Sequence, residues 1–167
     1  MDVAVVLDHR FYPTRDGWVW TDGPFAYSFF TLYLEQFDRV RVAARVKEVE
    51  LAEAVWLRVG GEGVSFAVVP YYVGPYQYSA WAVAVRQALR HALRPDQAVI
   101  LRVPSQLGLI AARALRRWAR PFGSEIVGDP YAAYAPWATR SRLRPLFRAC
   151  HARALRRICQ QAKRPPT

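Results

Sequence analysis

Acidic residues all but vanish from the second half of this chain: residues 86–167 hold 3 Asp and Glu against 17 Lys and Arg, while residues 1–85 hold 10 against 7. The formal net charge of +11 therefore belongs to one half. Such a surface attracts phosphate, whether on nucleic acid, anionic lipid or a nucleotide, and the sum of charges does not say which. Cysteine is equally scarce. Cys150 and Cys159, the only two, stand nine residues apart in one helix-like segment, where their side chains face different ways and do not meet in one disulfide; no metal-ligand spacing exists. Long apolar runs are also missing, because arginine and aromatics break each one before the roughly 18 residues that a spanning helix needs. The start, "MDVAVVLDHRF", lacks the basic region, long apolar centre and small-residue cleavage site of a secretory signal. A cytoplasmic location is expected. The 167 residues suit one domain, expected over 1–162, with 163–167 as a disordered tail.

What is present alternates between two periodicities. "VAVVLD" (3–8) is a continuous β-branched run of the kind buried on both faces of a sheet, "AVILRVP" (98–104) is another buried strand, and "RVRVAARV" (39–46), "VSFAVVP" (64–70) and "SEIVGDP" (124–130) are the remaining core or closing strands. "AVWLRVGGEGVSFAVVP" adds a short extended run before its glycine turn. Helices are expected over 24–37, where Thr21, Asp22 and Gly23 precede Pro24, over 79–93, over 105–120 behind a Ser105 cap, and over 144–161. This order predicts an α/β fold, a Rossmann-like three-layer sandwich with a mostly parallel sheet. Ligands of such sheets sit at the carboxyl ends of the strands, so the loops 8–23, 70–78, 102–106 and 128–137 are the places to look.

At those loops "WTDGPFAYSF", "VPYYVGPYQY", "ILRVPSQLGLIAARALRR" and "VGDPYAAYAP" together resemble the amino-terminal, acceptor-side domain of bacterial group 1 glycosyltransferases, retaining enzymes of the GT-B fold. The resemblance covers nearly the whole chain. It implies an acceptor-binding half of enzymes that move a sugar from a nucleotide-sugar donor to a sugar or lipid-linked acceptor. The nucleotide-sugar domain of such enzymes is not matched here, so the expectation is a chain inactive alone: either an acceptor-binding half whose donor side is a separate nucleotide-sugar-binding chain, or a truncated, inactive remnant. No cofactor and no metal are implied.

Within "DGWVWTDGPF" (16–25), Gly17 and Gly23 let backbone approach a ligand, Thr21 and Asp22 cap a helix or accept from a sugar hydroxyl, and Trp18 and Trp20 stack on a ring or pack beneath the loop. Tyr71, Tyr72, Tyr76 and Tyr131 carry the same pair of readings, and His9 either faces the cleft or is structural. Arg102, ending "AVIL", must leave the sheet interior or pair with an anion, for which Asp8 and Asp129 are the candidates. Ser105 caps or binds. Asp129 stands where the resembled family carries a histidine beside the sugars, which makes it the candidate catalytic residue, against a turn-forming Asp-Pro. Arg113, Arg116, Arg117 and Arg120 share a helix face, and Arg148 and Arg156 lie on the last helix. They form a solvated outer face or a peripheral contact with an anionic membrane at the inner face; a basic module docking on such a surface or on a protein is the alternative function. Nucleic acid is not expected, since no helix-turn-helix or RNA-binding signature accompanies the charge.

Overall fold

A computed structural model of the chain describes residues 1–133 and 144–162. It is an α/β fold with a mixed sheet. β1 (Val3–Pro13) is the longest strand, followed by β2 (Val19–Thr21), α1 (Tyr27–Leu34), β3 (Val40–Val46), β4 (Leu57–Arg58), β5 (Val64–Pro70), α2 (Gly74–Ala92), β6 (Ala98–Val103), α3 (Gln106–Arg117), β7 (Gly123–Ile126), the single turn α4 (Pro130–Ala133) and α5 (Arg144–Ala162). Five strands run parallel in the spatial order β5-β3-β1-β6-β7. β2 folds back antiparallel on the end of β1, and β4 pairs with β2. The expected α/β fold is found, with a sheet that is mixed: five parallel strands and this antiparallel flap.

Side chains of β1 alternate between two cores. Val3, Val5, Leu7 and Phe11 join Val40, Val42 and Ala44 of β3 and Phe30 and Tyr33 of α1. Ala4 and Val6 point the other way, into a core closed by Val85 and Leu89 of α2, Leu107, Ala111 and Leu115 of α3 and Ile158 of α5. Burial on both faces is why the central strands β1 and β3 read as nearly continuous apolar runs, whereas the edge strands β5 and β7 leave Val68 and Ile126 exposed. The β1–β3 register shifts between Val6 and Arg10, where β1 advances four residues while β3 advances two. This bulge lies where the strands reach their carboxyl ends and the polar residues begin.

The opening loop differs most from expectation. Residues 14–18 are a hairpin turn in which Gly17 has φ +85, the left-handed region that glycine adopts freely. "VWT" is strand rather than loop. Helix α1 begins at Tyr27, not Pro24, and its N-cap Ala26 has no side-chain cap, so neither Thr21 nor Asp22 caps it. Helix α2 begins at Gly74, five residues before the expected start, with proline in its first turn. The tail expected over 163–167, and the part of the loop 128–137 beyond residue 133, lie outside the described residues. Cys150 and Cys159 are free thiols.

Candidate functional site

Three polar groupings gather where the parallel strands end. The first is built on the bulge of β1. His9 turns toward the α1 face, against Phe11 and Phe25 with ring centroids 5.0 and 4.8 Å away, and its Nε2 lies 2.7 Å from Thr21 Oγ1. Thr21, fully buried, also accepts the Gly23 N–H. A Cβ on Gly23 would stand 2.8 Å from His9 Cε1, so glycine there admits the imidazole. Asp22 is 34% exposed, with its carboxylate 3.5 Å from His9 Nε2 and 4.0 Å from Arg10 Nη2. Tyr12 donates its hydroxyl to the same carboxylate over 3.3 Å while its ring stacks on Trp56. A half-open carboxylate among a cation, a phenol and aromatic faces can accept from a ligand hydroxyl.

Burial holds the His9 imidazole below its ordinary value of 6.5, outweighing the opposing pull of Asp22; Arg10 and Arg45 act with burial, and Asp8 against it. His9 is therefore neutral at pH 7. The unfolded chain takes up this proton near 6.5 and the folded chain resists it, so the unfolded state binds more protons as the solution is acidified through that value. Stability should fall below pH 6.5 until the folded group itself titrates. His151, also lowered by burial, adds to the same trend. We expect the midpoint of thermal unfolding to drop between neutral and mildly acidic pH, and His9→Gln to flatten the slope. An unchanged slope in that variant would assign the effect elsewhere.

The second grouping joins Arg102, Glu125 and Tyr33. Arg102 and Glu125 are register partners on β6 and β7 and form an ion pair. Tyr33 donates to Glu125 over 2.7 Å, and burial, with that carboxylate, pushes its hydroxyl up to about 12. The guanidinium lies over Phe29 and Phe25, at 4.8 and 5.4 Å. Arg102 thus has an anion, as expected of an arginine leaving the sheet, but the partner is Glu125 and neither Asp8 nor Asp129. Phe25 touches both His9 and Arg102, so the first two groupings adjoin.

The third faces α3. Asp8 accepts the Gln106 N–H over 3.0 Å at the helix N-terminus, and its other oxygen is 2.9 Å from Arg45 Nη2 as an ion pair. Arg45 also donates to the carbonyls of Tyr72 and Asp8 and stacks on the Tyr72 ring. Tyr72 is 2% exposed, with no hydrogen-bond partner for its hydroxyl among the described residues. Ser105 caps α3, accepting from Gly108 N–H and donating to Arg102 C=O, so its hydroxyl is engaged.

The remaining expected residues are scattered. Asp129 accepts the Tyr131 N–H, the turn-forming arrangement of an Asp-Pro. Tyr131 is exposed beneath the Arg148 guanidinium. Trp18 is 39% exposed and covered by Arg58, whose guanidinium is 2.9 Å from the ring centroid, while the Trp20 indole donates to Thr14. Tyr71 lies under Lys47, and Tyr76 is exposed on α2. Gly17 faces open space in its hairpin. Arg113, Arg116, Arg117 and Arg156 are exposed. Arg120 departs from the shared arginine face, since it donates to the carbonyls of Leu93, Arg94 and Gln97 and ties the loop between α2 and β6. Sequence reasoning missed Arg10, Tyr12, Arg45 and Glu125; the available signal for the last two was a charge within a strand, with the partner set by the fold. Among the described residues no group of His, Cys, Asp and Glu could hold a metal ion, and no helix is long and apolar enough to cross a membrane.

No protein-family model matches the chain, and no solved structure matches it. A curated relative does: the chain is 31% identical over 110 residues to Protein CapJ of Staphylococcus aureus, an alignment that takes in 66% of this chain and 28% of that protein. The matched stretch is thus little more than a quarter of the relative's length.

Proposed function

We propose that this chain is the acceptor-side domain of a glycosyltransferase-related protein, Rossmann-like in its parallel strands. Asp22 accepts from a hydroxyl of a sugar or lipid-linked acceptor, Arg10 and Tyr12 fix that carboxylate, and neutral His9 stands beside it as a proton acceptor. The observation that carries the reading is Asp22, half-open at the carboxyl edge of a parallel sheet and surrounded by groups suited to hydroxyl recognition. The spatial order β5-β3-β1-β6-β7 supports it, because α1 after β1 and α3 after β6 leave the sheet on opposite faces and open a crevice between β1 and β6. The likeness to CapJ and the four loop motifs point the same way. The nucleotide-sugar side lies outside these 167 residues, in continuous or separate chain.

Saturation-transfer NMR against a panel of saccharides and nucleotide sugars tests this. Saccharide binding weakened about tenfold by Asp22→Asn is expected, a loss of about 1.4 kcal/mol, with no turnover of nucleotide sugar by the chain alone. Saccharide binding that survives the substitution unchanged, or hydrolysis of a nucleotide sugar by this chain, would refute the reading. A second reading, contact with an anionic membrane, is favoured by the composition of α2, α3 and α5: ten arginines and no aspartate or glutamate. Its expected signature is sedimentation with anionic but not neutral vesicles, abolished by high salt.

A further inference from the structure

At the end of the molecule opposite the candidate acceptor site, α2 and α3 run side by side toward their C-termini. Between them is a groove of about 370 Å³. Arg86 and Arg90 reach it from α2, and Arg113 and Arg117 from α3; Trp118 forms part of the wall, and Leu89 and Ile110 the apolar floor. No acidic residue lines it, and among the described residues none of the four guanidinium groups has a carboxylate within salt-bridge distance. All four residues are exposed.

Two ordinary explanations account for part of this. Basic residues in the last turn of a helix complement its dipole, which covers Arg90 and Arg117. A solvated helix face accounts for single exposed arginines. Neither explains why Arg86 and Arg113, each about one turn earlier, converge on the same concavity, so that four like charges meet over an apolar floor without compensation. Mutual repulsion in a groove with low-dielectric walls disfavours the empty arrangement and focuses positive potential there. Guanidinium groups in forks match phosphate oxygens two at a time.

We propose that this groove binds an anion of the diphosphate class, several phosphate charges held by Arg86 and Arg90 on one side and Arg113 and Arg117 on the other, with Trp118 beside it. A site with an address differs from a diffuse basic face. Arg116 on α3 and Arg156 and Arg157 on α5 do not line this groove; Arg116 and Arg157, with Arg153 and the shared Arg113, line a smaller neighbouring groove between α3 and α5. The inference does not rest on the acceptor reading, since it concerns the other end of the sheet and another ligand chemistry. Phosphate of this class comes either from a soluble phosphoanhydride or from a lipid headgroup.

Calorimetric titration of the full chain with inorganic pyrophosphate at low salt tests it. Saturable binding is expected, weakened by salt and reduced at least about tenfold in Arg90→Gln/Arg117→Gln, which removes two groove charges. The charge-matched control Arg148→Gln/Arg156→Gln, two exposed residues of α5 that line neither groove, should change affinity less than about twofold. Both pairs are surface side chains, and unchanged unfolding midpoints are expected and are measured alongside. Equal loss in both variants, or no saturable binding, overturns the proposal. Vesicles containing phosphatidic acid, compared with phosphatidylserine at equal charge, identify the source. Preference for phosphatidic acid that disappears in the groove variant indicates a headgroup, whereas vesicle binding that ignores the groove variant while pyrophosphate binding is lost indicates a soluble ligand.

Discussion

Asp8→Ala should cost the fold about 3 kcal/mol at neutral pH, near the low end for breaking a largely buried ion pair. The carboxylate and the Arg45 guanidinium are only 20% and 15% exposed and lie 2.9 Å apart. Removing the acid strands a charge that water reaches poorly and also frees the Gln106 N–H at the start of α3. The figure stays at the low end because Arg45 keeps two carbonyl acceptors, Tyr72 and Asp8 itself. In a domain of this size that loss lowers the unfolding midpoint by roughly 6–12 °C. Asp8→Asn keeps an acceptor for Gln106 and should lose about half as much. The double variant Asp8→Leu/Arg45→Met removes both charges and should regain much of the difference, because well-packed apolar pairs replace buried ion pairs without penalty. Urea unfolding measures all three; a loss below about 1 kcal/mol in Asp8→Ala would mean that solvent already screens the pair.

The larger effect is expected on the other face of the same strand. Phe11→Ala should destabilise by about 4 kcal/mol, the usual cost of a large aromatic removed from a packed core. Phe11 is wholly buried and meets Phe66 edge-on at 5.1 Å, Phe30 at 6.4 Å and His9 at 5.0 Å. The helix that covers this core, α1, is eight residues long and lacks a side-chain cap. Phe11→Leu keeps most of the volume and should lose about 1.5 kcal/mol. Because His9 packs on Phe11, the alanine variant should also loosen the imidazole and weaken saccharide binding at Asp22 beyond what stability alone explains. If Phe11→Ala unfolds with an unchanged urea midpoint, the aromatic cluster is not the support assigned to it.

Much of this architecture was readable from residue types alone. β1, β3, β5 and β6 announce themselves as β-branched runs, and α3 follows from Ser105 ahead of an amphipathic stretch, a cap that forms as expected. β2 was hidden because three residues, "VWT", carry no period and sit among turn-formers. The start of α1 was misplaced because Asp22-Gly23-Pro24 has the form of a helix entry, whereas Thr21 is occupied with His9 and Gly23 makes room for the same ring. The start of α2 was placed late because Gly-Pro reads as a turn, although proline also fits a first helical turn. The site was legible only in part. Thr21, Asp22, Gly23 and His9 meet, but Arg45 and Glu125 owe their roles to strand register, which no local pattern reveals: Arg102 faces Glu125 because β6 and β7 pair at that step.

The bulge in β1 has a consequence for length variation in this chain. It stores two residues more on β1 than on β3 between the flanking pairs, Val6 with Ala43 and Arg10 with Arg45. Two is an even number, so the inside-outside sense of the strand is the same after the bulge as before it: Leu7, His9 and Phe11 all face α1, as Val3 and Val5 do. Deleting one residue from 7–9 would reverse that sense for everything downstream, driving Arg10 into the aromatic core and Phe11 toward Arg45. Deleting two would restore the parity and yield an unbulged strand. Indels at this point are therefore tolerated in pairs or not at all.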